Sequence, residues 1–355
     1  MTIRENVALA PLTTLRVGGA ARYFVEARSE DEVRKAVAFA KSRGLALFVL
    51  GGGSNLVVAD AGWPGLVLKI AIGGMASPTL QSATGSSKVF SIGAGVNWDD
   101  FVASVVSQNC AGIECLSGIP GSVGGTPVQN VGAYGQEVAE TIESVLALDM
   151  RENRVVKISN KECGFRYRSS IFNRAEDGER GRYIILQVDF RLKCGGAPCL
   201  KYGDLQKWFT GRTGTPSLIE VREAVLEIRR RKGMLIVAGE ADARSAGSFF
   251  KNPVLSEEEF RRLAERAAAR GLSIPSYPAL DAQHKVSAAW LVEHSGFGKG
   301  FRLGRAAISS KHALALINPG EAEARDIVTL KEAIQLGVDK TWGVRVDPEP
   351  VFLGF

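Results

Sequence analysis

The chain has 355 residues, more than one hydrophobic core usually serves, so two or three domains are expected. Hydrophobic residues at 45% and charged residues at 23% exclude a disordered chain, a coiled coil and a collagen-like repeat. No apolar run reaches the ~18 residues of a membrane helix, and the first residues lack a signal-peptide pattern, so a cytoplasmic protein is expected.

In chain order, 21–28 reads as a strand, and Ser29-Glu-Asp-Glu32 as a capping box in which Ser29 caps and Glu32 reaches back. Val33, Ala36, Val37 and Ala40 then give one apolar helical face, with Gly44 as the stop. A short apolar strand at 45–50 runs straight into Gly51-Gly52-Gly53-Ser54-Asn55. A second cycle follows: a strand at 89–92, a glycine turn at 93–95, and a helix at 98–107 with Phe101, Val102 and Val105 inward. After a glycine-rich stretch at 118–135, strands are expected at 141–150, 154–158 and 183–192. Capping boxes at Ser217…Glu220 and Ser256…Glu259 open further helices, and the main domain change falls near 210–225. The last ten residues, 346–355, read as a strand that returns to an earlier sheet. Five cysteines, an odd number without a C-x-x-C pair, read as small buried thiols and not as a disulfide framework. Three widely spaced histidines build no metal site, so no metal is expected.

The 40 glycines are the unusual number, about one residue in nine against a typical ~7%. Three clusters, at 51–53, 93–95 and 118–125, follow strands or lie in loops tipped with Ser, Asn or Thr, where main-chain N–H groups can cradle phosphates. None is a Rossmann fingerprint, and no P-loop is present. Singly each reads as a turn. Together they indicate a dinucleotide site, without saying which dinucleotide. The net charge of +6 suits an anionic partner, but no basic cluster is interleaved with aromatics, so nucleic acid is not expected.

The run Val-Leu-Gly-Gly-Gly-Ser-Asn-Leu at 49–56 resembles the flavin pyrophosphate loop of the UDP-N-acetylenolpyruvoylglucosamine reductase (MurB) family. So do Ile-Gly-Ala-Gly at 92–95 and the Leu-Ser-Gly-Ile-Pro-Gly-Ser-Val-Gly-Gly-Thr-Pro-Val-Gln-Asn-Val-Gly-Ala-Tyr-Gly block at 116–135. Thr-Thr-Leu-Arg-Val-Gly-Gly (13–19), Phe-Arg-Tyr-Arg-Ser-Ser-Ile-Phe (165–172), Ala-Gly-Ser-Phe-Phe-Lys-Asn-Pro (246–253) and Asp-Pro-Glu-Pro (347–350) match in the same order. The resemblance covers nearly the whole chain. It implies an α+β protein: a two-lobed FAD-binding fold of the vanillyl-alcohol-oxidase (PCMH) type plus a C-terminal α/β substrate-binding domain. The lobes are expected at 1–72 and 73–212, the second joined by the C-terminal strand 343–355, and the substrate domain at 217–340.

The implied reaction is reduction of the enolpyruvyl ether of UDP-GlcNAc to UDP-N-acetylmuramate, for peptidoglycan precursors. NADPH is the co-substrate, FAD is held non-covalently, and the enzyme is expected to be a monomer. By the resemblance, Gly51, Gly52, Gly53, Ser54, Asn55, Gly118, Ile119, Pro120, Gly121, Ser122, Gly125 and Thr126 hold the flavin. Ser248 reads by itself as a turn serine; the resemblance makes it the proton donor. Arg168 and Glu349 read by themselves as a salt bridge; the resemblance makes them the pair that polarises the substrate carboxylate. Position 347 is Asp where the family pattern has Glu. Lys-Tyr-Gly-Asp-Leu at 201–205 resembles the loop of the tyrosine-bearing (type I) subclass, with Tyr202 closing over the diphosphate. Lys232, Asn252, Tyr167 and Tyr277 fall at substrate-side positions. The run Arg229-Arg-Arg-Lys232 reads either as a solvated helix end or as four cations facing a diphosphate. Two other readings compete: an alcohol or aldonolactone oxidase of the same flavin fold, and a non-catalytic nucleotide-sugar or RNA binder. The oxidases often bond flavin through His or Cys; the glycine loops here hold no His, and Cys115 is the thiol nearest them in sequence.

Overall fold

The computed structural model of the protein describes residues 1–76, 79–80 (main chain only), 87–174, 181–279 and 282–355. Contacts divide the chain into two units, one of residues 1–7, 21–52 and 64–231, the other of residues 8–20, 53–63 and 232–355.

In the first unit, the helix Glu30–Ser42 buries the expected face of Val33, Ala36, Val37 and Ala40, and ends where Gly44 takes φ +62°. Ser29 caps it by accepting the Glu32 N–H at 3.2 Å. The return arm of the expected box is displaced: the Glu32 carboxylate accepts from Arg28 N–H at 2.8 Å, and also pairs with the amino terminus at 3.2 Å. A four-stranded sheet runs in the order Ile3–Ala8, Ala20–Ala27, Trp63–Ile70, Leu47–Leu50, the last two parallel.

A second, antiparallel sheet is ordered Arg154–Ser159, Ile142–Asp149, Tyr183–Cys194, Ser87–Gly93, Thr79–Leu80, with Cys110–Ala111 on the end of the long strand. The helix Trp98–Ser107, capped by Asn97, packs Trp98, Phe101, Val102 and Val105 into that core. The Phe101 and Phe190 rings meet at 5.0 Å, and Trp98 Nε1 donates to the Leu116 carbonyl at 3.0 Å. The indole thereby ties the helix to the turn that enters the long glycine-rich block.

Cys110 and Cys194 are register partners on neighbouring strands and are joined by a disulfide, against the expectation of five thiols. They lie 84 residues apart, so sequence spacing carries no sign of the pairing. Cys115, Cys163 and Cys199 are free. Burial pushes the Cys115 thiol up, and that of Cys163 to about 12. Alkylation of the denatured protein without reductant should therefore label three cysteines, and five after reduction; five in both cases would remove the bond.

In the second unit, Leu15, Val17 and Val57 join Phe249, Phe250, Leu330, Ile334 and Trp342 in one core. Two chain-early segments thus fold with the C-terminal part. The helix Ala324–Trp342 begins with its Ala324 and Arg325 N–H groups donating to the Asp60 carboxylate at 2.7 and 3.0 Å. The C-terminal strand is Val351–Leu353 and pairs in parallel with Leu56–Val58, not with a strand of 73–212.

Candidate active site

The first unit carries Gly51, Gly52 and both later glycine clusters, and the 51–52 and 118–125 segments touch through main chain. A Cβ built on Gly52 would stand 2.4 Å from the Gly121 Cα and 2.7 Å from its carbonyl carbon. One built on Gly51 would stand 2.9 Å from Ser122 Oγ, and Gly121 itself takes φ +136°. The 118–126 segment is zipped onto 94–98: Trp98 N–H donates to the Gly121 carbonyl at 3.1 Å, Val123 N–H to Val96 at 2.9 Å, and Gly124 N–H to Ala94 at 2.9 Å. Ser122 Oγ is buried and bonds to no protein group. A buried hydroxyl left over beside a main-chain cradle fits a ligand that brings its own hydrogen-bonding oxygens, as a pyrophosphate does.

Not every expected flavin residue stands open in this way. The Gly118 N–H is spent on Asp99 Oδ1 at 2.6 Å, and the same carboxylate takes a two-pronged bond from Arg222 at 2.6 and 2.8 Å. Burial pushes the Asp99 carboxyl up, but the Arg222 fork and the Gly118 N–H outweigh it and hold it below the usual range. The buried Thr126 hydroxyl donates to the Val123 carbonyl at 2.8 Å. The cluster at 93–95 is a packing feature: a Cβ on Gly93 or Gly95 would meet the main chain of residues 71–73 at 2.3 to 2.5 Å. Gly52→Val should purify with well under half of the normal flavin, because the new side chain must push back the 121–122 main chain. Full flavin content would remove this loop from the cofactor site.

Arg168 stands in the same unit at φ +53°, and its guanidinium donates to the Gly132 carbonyl at 3.0 Å and the Asn130 carbonyl at 3.5 Å. Asn130 and Tyr134, on the same stretch, also hold positive φ, at 45° and 49°. Non-glycine residues in the left-handed region carry backbone strain, and here Arg168 and Asn130, joined by a hydrogen bond, both hold it. Asn130 is pinned through its amide to Glu137 Oε2 at 2.8 Å and to the Arg166 carbonyl at 3.1 Å. The Tyr167 ring lies 5.5 Å from the Arg168 guanidinium carbon.

Tyr202 opens the short helix Gly203–Trp208 and is 42% exposed, its ring edge-on to that of Tyr134 at 5.3 Å. The run Arg229-Arg-Arg-Lys232 is neither one cation cluster nor one solvated end. Arg230 and Arg231 are exposed and pair with Glu227, whereas Arg229 is buried with the Tyr134 hydroxyl. Burial lowers the Arg229 guanidinium, against the opposing pull of Tyr134 and Asp99.

The second unit brings the segments of Ser248 and Glu349 together although 101 residues separate the two. Residues 249–251 run antiparallel to 347–349: Glu349 N–H donates to the Phe249 carbonyl at 2.8 Å and Lys251 N–H to the Asp347 carbonyl at 2.9 Å. Phe249 and Phe250 anchor the segment in the core, and half-buried Ser248 follows Gly247 at φ +75°. Asn55 joins them, its amide donating to the Glu349 carbonyl at 3.3 Å. Gly53 sits at φ +65° against the Leu12 carbonyl, and Thr14 Oγ1 donates to the Ser245 carbonyl at 2.6 Å, so the 13–19 motif fastens the loop to the serine segment. Asp347 turns outward and pairs with Arg345 at 3.1 Å, both well exposed; the change from Glu leaves the Glu349 backbone pairing intact. Asn252 Oδ1 accepts the Ala288 N–H at 2.9 Å, Tyr277 is exposed, and Lys232 is half-buried. Arg168 belongs to the other unit.

Residues 21–159 match an FAD-binding domain, and residues 239–353 match the C-terminal domain of UDP-N-acetylenolpyruvoylglucosamine reductase. The protein is thus an FAD-binding oxidoreductase, with an FAD-binding domain and a reductase C-terminal domain. It is 42% identical over 355 residues to the UDP-N-acetylenolpyruvoylglucosamine reductase of Thermobifida fusca (strain YX), covering 99% of this chain and 98% of that protein. The protein of the same name from Salinispora arenicola (strain CNS-205) is 44% identical over 350 residues, 97% and 94% of the two chains. The crystal structure of that reductase from Thermus caldophilus superposes with a TM-score of 0.66 at 24% identity, covering 99% and 100%. The chain belongs to the UDP-N-acetylenolpyruvoylglucosamine reductase family, the UDP-N-acetylmuramate dehydrogenases of peptidoglycan precursor synthesis. Among the described residues no helix is long and apolar enough to cross a membrane.

Proposed function

We propose that the protein uses NADPH to reduce the enolpyruvyl group of UDP-N-acetyl-enolpyruvylglucosamine, with Ser248 as proton donor and Arg168 and Glu349 on the substrate carboxylate. FAD, when bound, would supply the hydride-transfer chemistry that links NADPH to the enolpyruvyl methylene carbon. The neighbouring carbon then needs a proton, which the Ser248 hydroxyl supplies. The observation that carries this reading is the antiparallel pairing of 249–251 with 347–349, which brings the segment that follows half-buried Ser248 against the segment of Glu349.

Arg168, held by main-chain carbonyls, offers a planar fork for the carboxylate whose negative charge grows as hydride arrives. Gly51, Gly52, Gly121 and Ser122 would cradle the pyrophosphate, with Gly53, Ser54, Asn55, Ile119, Pro120 and Gly125 as further flavin residues; Gly118 and Thr126, whose N–H and hydroxyl are spent on Asp99 and Val123, would shape the loop around it. Buried Ser122 Oγ and the main-chain approach of 51–52 to 121–122 support that assignment. Attachment is non-covalent. Cys115 is buried with its thiol donating to the Cys199 carbonyl at 3.2 Å and pushed up by burial, a poor nucleophile toward a flavin ring. Exposed Tyr202, in the Lys-Tyr-Gly-Asp-Leu loop, supports the type I subclass, and Tyr202, Lys232, Asn252, Tyr167 and Tyr277 take the sugar nucleotide. The protein works in the cytoplasm as a monomer.

Incubation with NADPH and the enolpyruvyl substrate should yield a product heavier by two hydrogens, and acid precipitation should leave all the flavin in the supernatant. Unchanged substrate mass, with NADPH consumed only in the presence of oxygen, would return the protein to the oxidase reading.

A further inference from the structure

Glu114 is wholly buried, lies outside every assignment made above, and gathers donors from three stretches of chain. Its Oε2 accepts the Gly112 N–H at 2.8 Å; its Oε1 accepts Gln136 Nε2 at 2.9 Å and the Cys199 N–H at 2.8 Å. A carboxylate is costly to bury unless such donors surround it, and once they do it fixes the segments that supply them.

Two of those segments lead to the same place. Residue 199 is gripped through both its main-chain groups, because its carbonyl accepts the Cys115 thiol at 3.2 Å, and Tyr202 follows three residues later. Gln136, whose Oε1 also takes the Cys115 N–H at 2.8 Å, lies two residues after Tyr134. The two arms meet in the edge-on contact of Tyr134 with Tyr202 at 5.3 Å. The third donor, Gly112, fastens the carboxylate to its own turn, so the anchor is rigid on the side away from the tyrosines.

We propose that Glu114 is a positioning residue for substrate binding, setting Tyr202 through Cys199 and its ring partner Tyr134 through Gln136. The inference rests on the reading of Tyr202 as a ligand of the diphosphate. Glu114→Gln keeps the shape, but its amide NH₂ faces either the Gly112 N–H, which frees the anchor from its own turn, or the Gln136 and Cys199 donors, which cuts both arms; either way the tyrosines lose their fixed placement. KM for the sugar nucleotide should rise about tenfold, the scale of one lost hydrogen bond. Flavin content, kcat and the rate of flavin reduction by NADPH should stay within about twofold, and in a Tyr202→Phe background the same change should add less than about twofold to KM. A role in folding alone would lower flavin content and thermal stability and leave KM in place in both the native and the Tyr202→Phe backgrounds. Should the glutamine variant not fold, Gln136→Leu cuts one arm and leaves Glu114 its two main-chain donors; it should show the same split between KM and kcat. If Tyr202→Phe leaves KM unchanged, the tyrosine reading fails and takes the proposal with it. If Tyr202→Phe raises KM while Glu114→Gln, or Gln136→Leu in its place, does not, the proposal alone is overturned.

Discussion

Ser248→Ala is expected to stop one half of the reaction and spare the other. The substitution removes the hydroxyl and keeps the backbone, so Phe249 should still anchor the segment and accept the Glu349 N–H. Flavin content and reduction by NADPH should therefore persist. Reoxidation by the enolpyruvyl substrate should fall by the ~10²–10⁴-fold typical of losing a general acid. Ser248→Cys, which retains an exchangeable proton, should keep more activity than the alanine variant. Rapid mixing of each half-reaction decides the matter: near-normal reoxidation by the alanine variant rules out Ser248 as donor. If Ser248 is only a turn residue, its loss costs about 1 kcal/mol of stability and little turnover.

Arg168→Lys should be almost as damaging, although the charge is kept. The guanidinium donates to the carbonyls of Gly132 and Asn130, and a lysine ammonium is a point donor that cannot hold those carbonyls and also present a fork to a carboxylate. Loss of a preorganised donor at the site of developing charge commonly costs ~10²–10³-fold in rate. That loss should fall on reoxidation by substrate, with flavin reduction by NADPH spared. Unchanged turnover in the lysine variant would take Arg168 out of the mechanism.

Much of the fold is legible in the sequence, and what is not has physical causes. The helices Glu30–Ser42 and Trp98–Ser107 declare themselves through a capping residue followed by an apolar face, both local signals. The 19-residue helix Ala324–Trp342 carries its apolar face, Ile327, Leu330, Ile334 and Val338, and its Gly343 stop in its own sequence, but part of its cap comes from Asp60, 264 residues away. The C-terminal strand is readable as a strand, but its partner at 56–58 is not, since a parallel pairing of three residues leaves no pattern. At the site, the motifs single out Arg168, Ser248 and Glu349. They do not single out Asp99, whose partner Arg222 is 123 residues distant, or Glu114, whose donors come from residues 112, 136 and 199. A supporting residue acts through groups brought near by folding, and its own sequence neighbourhood is ordinary. Glycines carry a second meaning that composition does not separate: the turn at 93–95 has the composition of a phosphate loop and also admits the main chain of 71–73.

The most direct test of the account is a single turnover without oxygen. Protein reduced by one equivalent of NADPH is mixed with UDP-N-acetyl-enolpyruvylglucosamine while the flavin's visible absorbance is followed. The account predicts that the absorbance returns at the rate of steady-state turnover, that one equivalent of UDP-N-acetylmuramate forms, and that UDP-GlcNAc gives no such return. A flavin that stays bleached with the enolpyruvyl substrate and recovers only when oxygen is admitted would contradict it.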